Sequence, residues 1–181
     1  MELELLSPAG NMEKLKTAVH FGANAVYFSG KTFGLRAFAG NFGDEEIAQA
    51  VDYCHKHNVK TYVTVNIVAH EKDFVGLKEY LELLDASKVD AIIVSDLGII
   101  GFAKKYAPRL DIHVSTQANV TNKYTAKMYA DLGAKRIVLA RELSLNEIKA
   151  IRDYLGNSVE LEAFVHGAMC ISYSGRCLLS N

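Results

Sequence analysis

The chain has 181 residues, half of them hydrophobic and 23% charged, with a formal net charge of -1. Such a chain can bury one sizeable core, and its near-neutral balance excludes a global attraction to nucleic acid or anionic membrane, so any RNA contact needs a local basic patch or another domain. No apolar run approaches the roughly 20 residues that span a bilayer, the acidic start Met1-Glu2-Leu3-Glu4-Leu5 is unlike a signal peptide, and three cysteines are too few for a secreted disulfide framework; the cytoplasm is the expected location, with no membrane partner.

Short apolar runs at Leu3–Leu6, Ala25–Phe28, Thr61–Val65, Ala91–Val94, Ile112–Ser115, Arg136–Leu139 and Val159–Val165 read as strands. Amphipathic stripes lie between them: Met12, Leu15 and Val19; Ile47, Val51 and Cys54; Ile99, Phe102 and Tyr106; and Leu145, Ile148, Ile151 and Leu155. Alternating strands and helices with short connections predict right-handed βαβ units and a parallel sheet. Phe21-Gly22-Ala23-Asn24 and Leu132-Gly133-Ala134-Lys135 echo one another, each placing a glycine where a helix should end. No Gly-x-Gly-x-x-Gly follows the first strand, which removes the main dinucleotide-binding signal. The fold class is therefore α/β, a TIM-type parallel (β/α) barrel. Such barrels need eight strands and about 250 residues, so residues 1–181, with about seven βα units, are expected to be the N-terminal portion of a longer barrel protein.

Active sites of these barrels lie where strands end and loops begin. Those positions carry Ser7, Ser29, Asn66, Asp96, Gln117, Arg141, Glu142 and His166. Strand alternation places Tyr62, Thr64 and Asn66 on one face, then His113, Ser115 and Gln117, then Glu160, Glu162, Phe164 and His166. The opposite faces are apolar and should meet the helices, so the polar faces should look into the barrel. Glu160 and Glu162 are costly to bury without a cation, and Arg36 or Arg141 are the expected partners. From these positions Arg36, Asn66, His113, Gln117, Arg141, Glu162 and His166 are the candidate catalytic groups of a substrate well. The competing reading is a structural polar network. The glycine-punctuated segment Gly30–Gly43 holds Arg36 and has the length of a lid or binding loop, against the alternative of a surface hairpin. His55 and His57 diverge on a helix and read as a solvated face rather than a metal site, and Cys54 belongs to a core stripe.

The most specific stretch runs Glu162-Ala-Phe-Val-His-Gly-Ala-Met-Cys170-Ile-Ser-Tyr-Ser-Gly-Arg-Cys177-Leu-Leu-Ser180. Thiolates at Cys170 and Cys177 suit iron–sulfur or zinc binding, yet two cannot complete a cluster that takes four. By spacing alone, metal binding and unremarkable thiols remain equally open.

Read with that spacing, the pattern Glu-x-Phe-x-x-Gly-Ala-x-Cys-x-x-x-x-Ser-Gly-x-Cys-x-x-Ser resembles the signature of peptidase family U thirty-two. Leu5-Leu6-Ser7-Pro8-Ala9-Gly10-Asn11, Gly22-Ala23-Asn24-Ala25-Val26-Tyr27 and Leu35-Arg36-x-x-Ala39-x-Asn41-Phe42 agree. So do Tyr62-Val63-Thr64-Val65-Asn66, Ile112-His113-Val114-Ser115-Thr116-Gln117 and Val138-Leu139-Ala140-Arg141-Glu142-Leu143. The family is named for collagenase-like proteases, and it includes oxygen-independent hydroxylases of tRNA uridine, ribosomal RNA cytidine or ubiquinone precursors. The resemblance implies a four-iron four-sulfur cluster with Cys170 and Cys177 as its first two ligands and the others beyond residue 181. It also implies prephenate as co-substrate, RNA (tRNA first) as partner, and a homologous partner subunit in some members.

Three functions follow: an RNA hydroxylase, a collagenase-like peptidase, or a non-catalytic barrel subunit of a heteromeric complex. Neither a His-Glu-x-x-His zinc motif nor a Gly-x-Ser-x-Gly elbow is present; Cys170 with His166 four residues before it is a conceivable Cys–His pair for proteolysis.

Overall fold

The structure, a computed structural model, describes residues 3–35, 41–167 and 169–175. Its strands are β1 (Leu6–Pro8), β2 (Ala25–Ser29), β3 (Lys60–Val65), β4 (Ala91–Val94), β5 (Asp111–Val114), β6 (Arg136–Val138) and β7 (Glu160–Glu162). Every neighbouring pair is parallel, and the strands run in strict sequence order from β1 to β7. The seven predicted runs are all strands. The first is shifted toward Pro8 and the last is shorter than its apolar pattern suggested.

The helices are α1 (Met12–His20), α2 (Asp44–Lys56), α3 (Leu77–Ala86), α4 (Leu97–Tyr106), α5 (Lys123–Asp131) and α6 (Leu145–Leu155). Side chains at their starts accept the otherwise orphaned backbone N–H groups: Asn11 from Lys14, Asp96 from Ile99, Asn122 from Tyr124 and Thr125. Ser144 and Glu147 form a reciprocal capping box on α6. Gly22 (φ 92°) and Gly133 (φ 86°) occupy the left-handed region just after α1 and α5, which explains the echo between those segments.

One face of the sheet packs on the helices. Val26, Phe28, Val63, Val65, Ile92, Val94, Ile112, Val114 and Ile137 are buried there against Leu15, Ile47, Val51, Leu81, Leu84 and Ile99. Each large apolar side chain so buried contributes about 1.5–3 kcal/mol by leaving water. The other face lines the barrel interior, where Ala25, Tyr62, Ala91 and Ile93 form a smaller cluster with Leu6 and Tyr27. Period-two alternation is thus obeyed within the strands, and Tyr62, His113, Glu160 and Glu162 share the inward face; Phe164 and His166 lie beyond the end of β7 and are exposed.

Candidate functional site

Two polar assemblies lie on this scaffold. The first fills the interior at the N-terminal ends of β6 and β7. Arg136, the first residue of β6, is buried and donates from Nη1 to Glu4 Oε1 at 2.6 Å. Its Nε and Nη2 reach Glu160 Oε2 at 2.8 and 2.6 Å, and Nη1 reaches Glu162 Oε2 at 3.4 Å. Arg136 is therefore the cation among the described residues that makes Glu160 and Glu162 tolerable, whereas Arg141, expected from sequence, lies elsewhere and Arg36 falls outside the described residues. Parallel pairing sets Arg136 beside both Glu160 and His113, so the register brings the guanidinium to the carboxylates.

The same cluster contains Tyr62, whose hydroxyl donates to Glu4 Oε1 at 2.8 Å and whose ring lies under the Arg136 guanidinium at 5.3 Å. His113 meets the Tyr62 ring edge-on at 4.5 Å between centroids. Burial would raise the Glu4 carboxyl, but hydrogen bonds from Arg136, Tyr62 and Lys60 outweigh it and hold the group at about 2. Burial, reinforced by the Arg136 charge, pushes His113 down to about 3, so its imidazole is neutral; its Nδ1 is buried without a hydrogen-bond partner. Glu162 is raised because burial exceeds the pull of Arg136. Glu162, in the ion network, and His113, neutral and packed on Tyr62, are two of the candidate catalytic groups and thus lie in one partly buried cluster below the barrel mouth.

The second assembly is at the C-terminal mouth, where the segment after β7 folds back over the loops after β5 and β6. Arg141 donates to the carbonyl oxygens of Cys170 and, at 2.5 Å, Ser172. Ser174, almost fully buried, accepts on Oγ from the Arg141 backbone N–H at 3.2 Å and from Arg141 Nε at 3.3 Å. Its own N–H donates to Glu142 Oε1 at 2.7 Å, and its hydroxyl sits 3.3 Å from Thr116 Oγ1. The Ser174 N–H, with the Arg141 charge, holds the Glu142 carboxyl below its ordinary value despite a burial cost. Gly175 adopts φ 76°, and a Cβ there would stand 2.6 Å from the Gln117 carbonyl oxygen, so only glycine passes that close. Beneath this segment Gln117 Oε1 and Asn119 Oδ1 are buried without partners.

Cys170 itself is exposed and borders a cavity of about 380 Å³ lined by Arg141, Phe164, Met169 and Ile171 among others. His166 is exposed on the same segment. Asn66, at the end of β3, accepts from the Leu35 N–H at 3.3 Å and so holds the described start of the segment after β2. The far end of that segment is anchored too: the Phe42 ring packs on Phe28 at 4.5 Å and its N–H donates to Ser29. Arg36 and Cys177 lie outside the described residues.

The predicted residues therefore fall into separate groups: His113 with Glu162, Arg141 with Cys170 and the Gln117 backbone, and Asn66 with Leu35. Sequence reading missed Arg136, Glu4, Thr116 and Ser174. An arginine opening an otherwise apolar strand was the available signal for the first, though its partners depend on the register that pairs it with Glu160. His55 and His57 are exposed, as a solvated helix face requires; His55 Nε2 is hydrogen-bonded to Asp90 at 2.8 Å, and His57 turns back to the Tyr53 carbonyl. Among the described residues no group of three or more His, Cys, Asp or Glu gathers to hold a metal. Cys170 nevertheless suits one ligand of a cluster, since it is a thiol on a held backbone beside open space and a cation.

The whole segment from β1 to the cysteine loop has counterparts in known proteins. The profile of Peptidase family U32 matches residues 10–181. A "tRNA hydroxylation protein P1" of Bacillus subtilis is 48% identical over 98% of this chain and 42% of its own length. A 23S rRNA 5-hydroxycytidine synthase of Escherichia coli is 38% identical over 99% of this chain and 26% of its own. A collagenase of Porphyromonas gingivalis is 32% identical over 99% and 45%. This chain thus spans less than half the length of these relatives. The solved structure of a U32 peptidase superposes with a TM-score of 0.75, at 19% identity, over 90% of this chain and 68% of that one, and shares its barrel fold. The chain belongs to peptidase family U32.

Proposed function

We propose that this chain is the barrel portion of an oxygen-independent RNA hydroxylase, acting on a pyrimidine of tRNA or ribosomal RNA in the cytoplasm. The observation that carries the reading is the mouth assembly. The cysteine loop is held directly over the C-terminal ends of β5 and β6, where barrels of this class do their chemistry. Relatives at 48% and 38% identity that bear RNA-hydroxylation names support it.

In this reading Cys170 and Cys177 are two ligands of a four-iron four-sulfur cluster, and the remaining ligands come from chain beyond residue 181. The cluster would supply one-electron redox chemistry at the mouth, with prephenate as co-substrate. The chain's own residues bind and orient. The exposed Phe164 and Tyr173 offer stacking surfaces at the rim. The Arg136 network holds the strand ends in register below them. The RNA footprint is assigned to a further domain or to a homologous partner subunit, because this segment is near neutral.

The test is iron and acid-labile sulfide content of the full-length gene product purified without oxygen. About four of each per chain, lost in Cys170→Ser and Cys177→Ser, is expected; iron-free protein that still modifies RNA would sink the cluster assignment. Proteolysis is the second reading, favoured by the family's name and by the collagenase relative. It requires peptide cleavage that alkylation of Cys170 abolishes.

A further inference from the structure

Arg141 was a candidate for touching substrate, but its guanidinium is already engaged. Among the described residues its hydrogen bonds from the fork go to the segment that carries Cys170: two backbone carbonyls and the Ser174 hydroxyl. A planar fork with five donors can hold three acceptors in a fixed spatial relation, which a lysine ammonium cannot. The segment is tied a second time and independently. The Ser174 N–H is held by Glu142, its hydroxyl lies against Thr116, and Gly175 sits on the Gln117 carbonyl at a distance no side chain allows. Cys170, Met169, Ile171 and Tyr173 are exposed, while Ser174 is buried. The loop is thus pinned through its backbone and the Ser174 hydroxyl, and Cys170 is exposed at the edge of the cavity.

We infer that Arg141 is a positioning residue: with Glu142, Ser174 and Thr116 it clamps the 170–175 loop onto the ends of β5 and β6 and so sets the direction of the Cys170 thiol. This rests on the reading of Cys170 as a cluster ligand for its consequence, but not for the clamp itself. A ligand thiolate must be presented at a fixed angle and distance, and ordering that backbone beforehand lowers the cost of binding.

The experiment uses the full-length protein and two kinds of readout. In iron-free protein, amide hydrogen exchange at residues 170–174 and the rate of Cys170 alkylation by iodoacetamide are compared between wild type, Arg141→Gln, Arg141→Lys and Ser174→Ala. In anaerobically purified protein, iron content and the visible spectrum are compared for the same set. The clamp predicts loop amides that exchange at least about ten-fold faster in Arg141→Gln, the change that about 1.4 kcal/mol produces. It also predicts an altered alkylation rate, depleted iron, and no rescue by Arg141→Lys, which keeps the charge without the fork. Ser174→Ala should loosen the same amides without touching the charge, which covers the case of an Arg141 variant that fails to fold. Unchanged exchange and alkylation in Arg141→Gln and Ser174→Ala would overturn the clamp. If Cys170→Ser retained full iron while the exchange effect held, the ligand reading would fall and the clamp would stand.

Discussion

Arg136 and Glu4 are 132 positions apart in sequence and 2.6 Å apart in space, joining β6 to the residues that lead into β1. The sheet runs from β1 to β7 with no β1–β7 pairing among the described residues, so this ion pair ties its two ends across the interior. Removing the cation would leave Glu4, Glu160 and Glu162 facing one another in a partly buried space. Arg136→Met should therefore destabilise the fold by about 3 kcal/mol, read as a shift of the urea midpoint. A shift worth less than about 1 kcal/mol, the range of a surface pair, would mean the network is decorative.

The same network predicts an acid limb in two steps. Glu4 is held at about 2 against an ordinary 4.5, so its contribution is present above 4.5 and is lost as pH falls from there toward 2. His113 is depressed to about 3 from 6.5; the unfolded chain takes up that proton first, so stability falls as pH drops from 6.5 toward 3. Urea titrations between pH 7 and pH 3 should show that His113→Phe flattens the upper limb and Glu4→Gln the lower one. Parallel curves for wild type and both variants would refute the assignment.

Gly175→Ala offers a local test of the mouth. Its φ of 76° and the 2.6 Å approach of a Cβ to the Gln117 carbonyl make alanine strained by roughly 1–3 kcal/mol. The cost should appear as faster amide exchange at Ser174, with protection of β3 and β4 unchanged. Unchanged exchange at Ser174 would show that the loop is not seated on Gln117.

Burial distinguishes two leucines. Leu81 is fully buried on α3, whereas Leu161 is only partly buried on the last strand. Leu81→Ala should cost about 3 kcal/mol and Leu161→Ala about half that, because a partly open site leaves a smaller cavity. Equal costs by urea denaturation would imply that further chain covers β7 in the protein tested.

These contrasts mark what the sequence could carry. The strand pattern and inward polar faces were readable because alternation at Tyr62–Asn66 and Ile112–Ser115 is unbroken, and parallel order follows from short βα connections. The partner of Glu160 and Glu162 was not readable without register, since only strand pairing decides that Arg136 rather than Arg141 stands opposite them. Ser174 escaped notice because a serine in a glycine-rich loop has no periodicity; its burial depends on the loop folding back onto residues 116 and 141–142. Cys170 was found by motif alone, and its exposure and held backbone are what the structure adds.

The measurement closest to the central claim is nucleoside mass spectrometry of tRNA and ribosomal RNA from the source organism with this gene deleted and then restored. The account predicts that one hydroxylated pyrimidine disappears on deletion, returns with the wild-type gene, and fails to return with Cys170→Ser. An unchanged nucleoside profile in the deletion strain would contradict RNA hydroxylation as the function of this barrel.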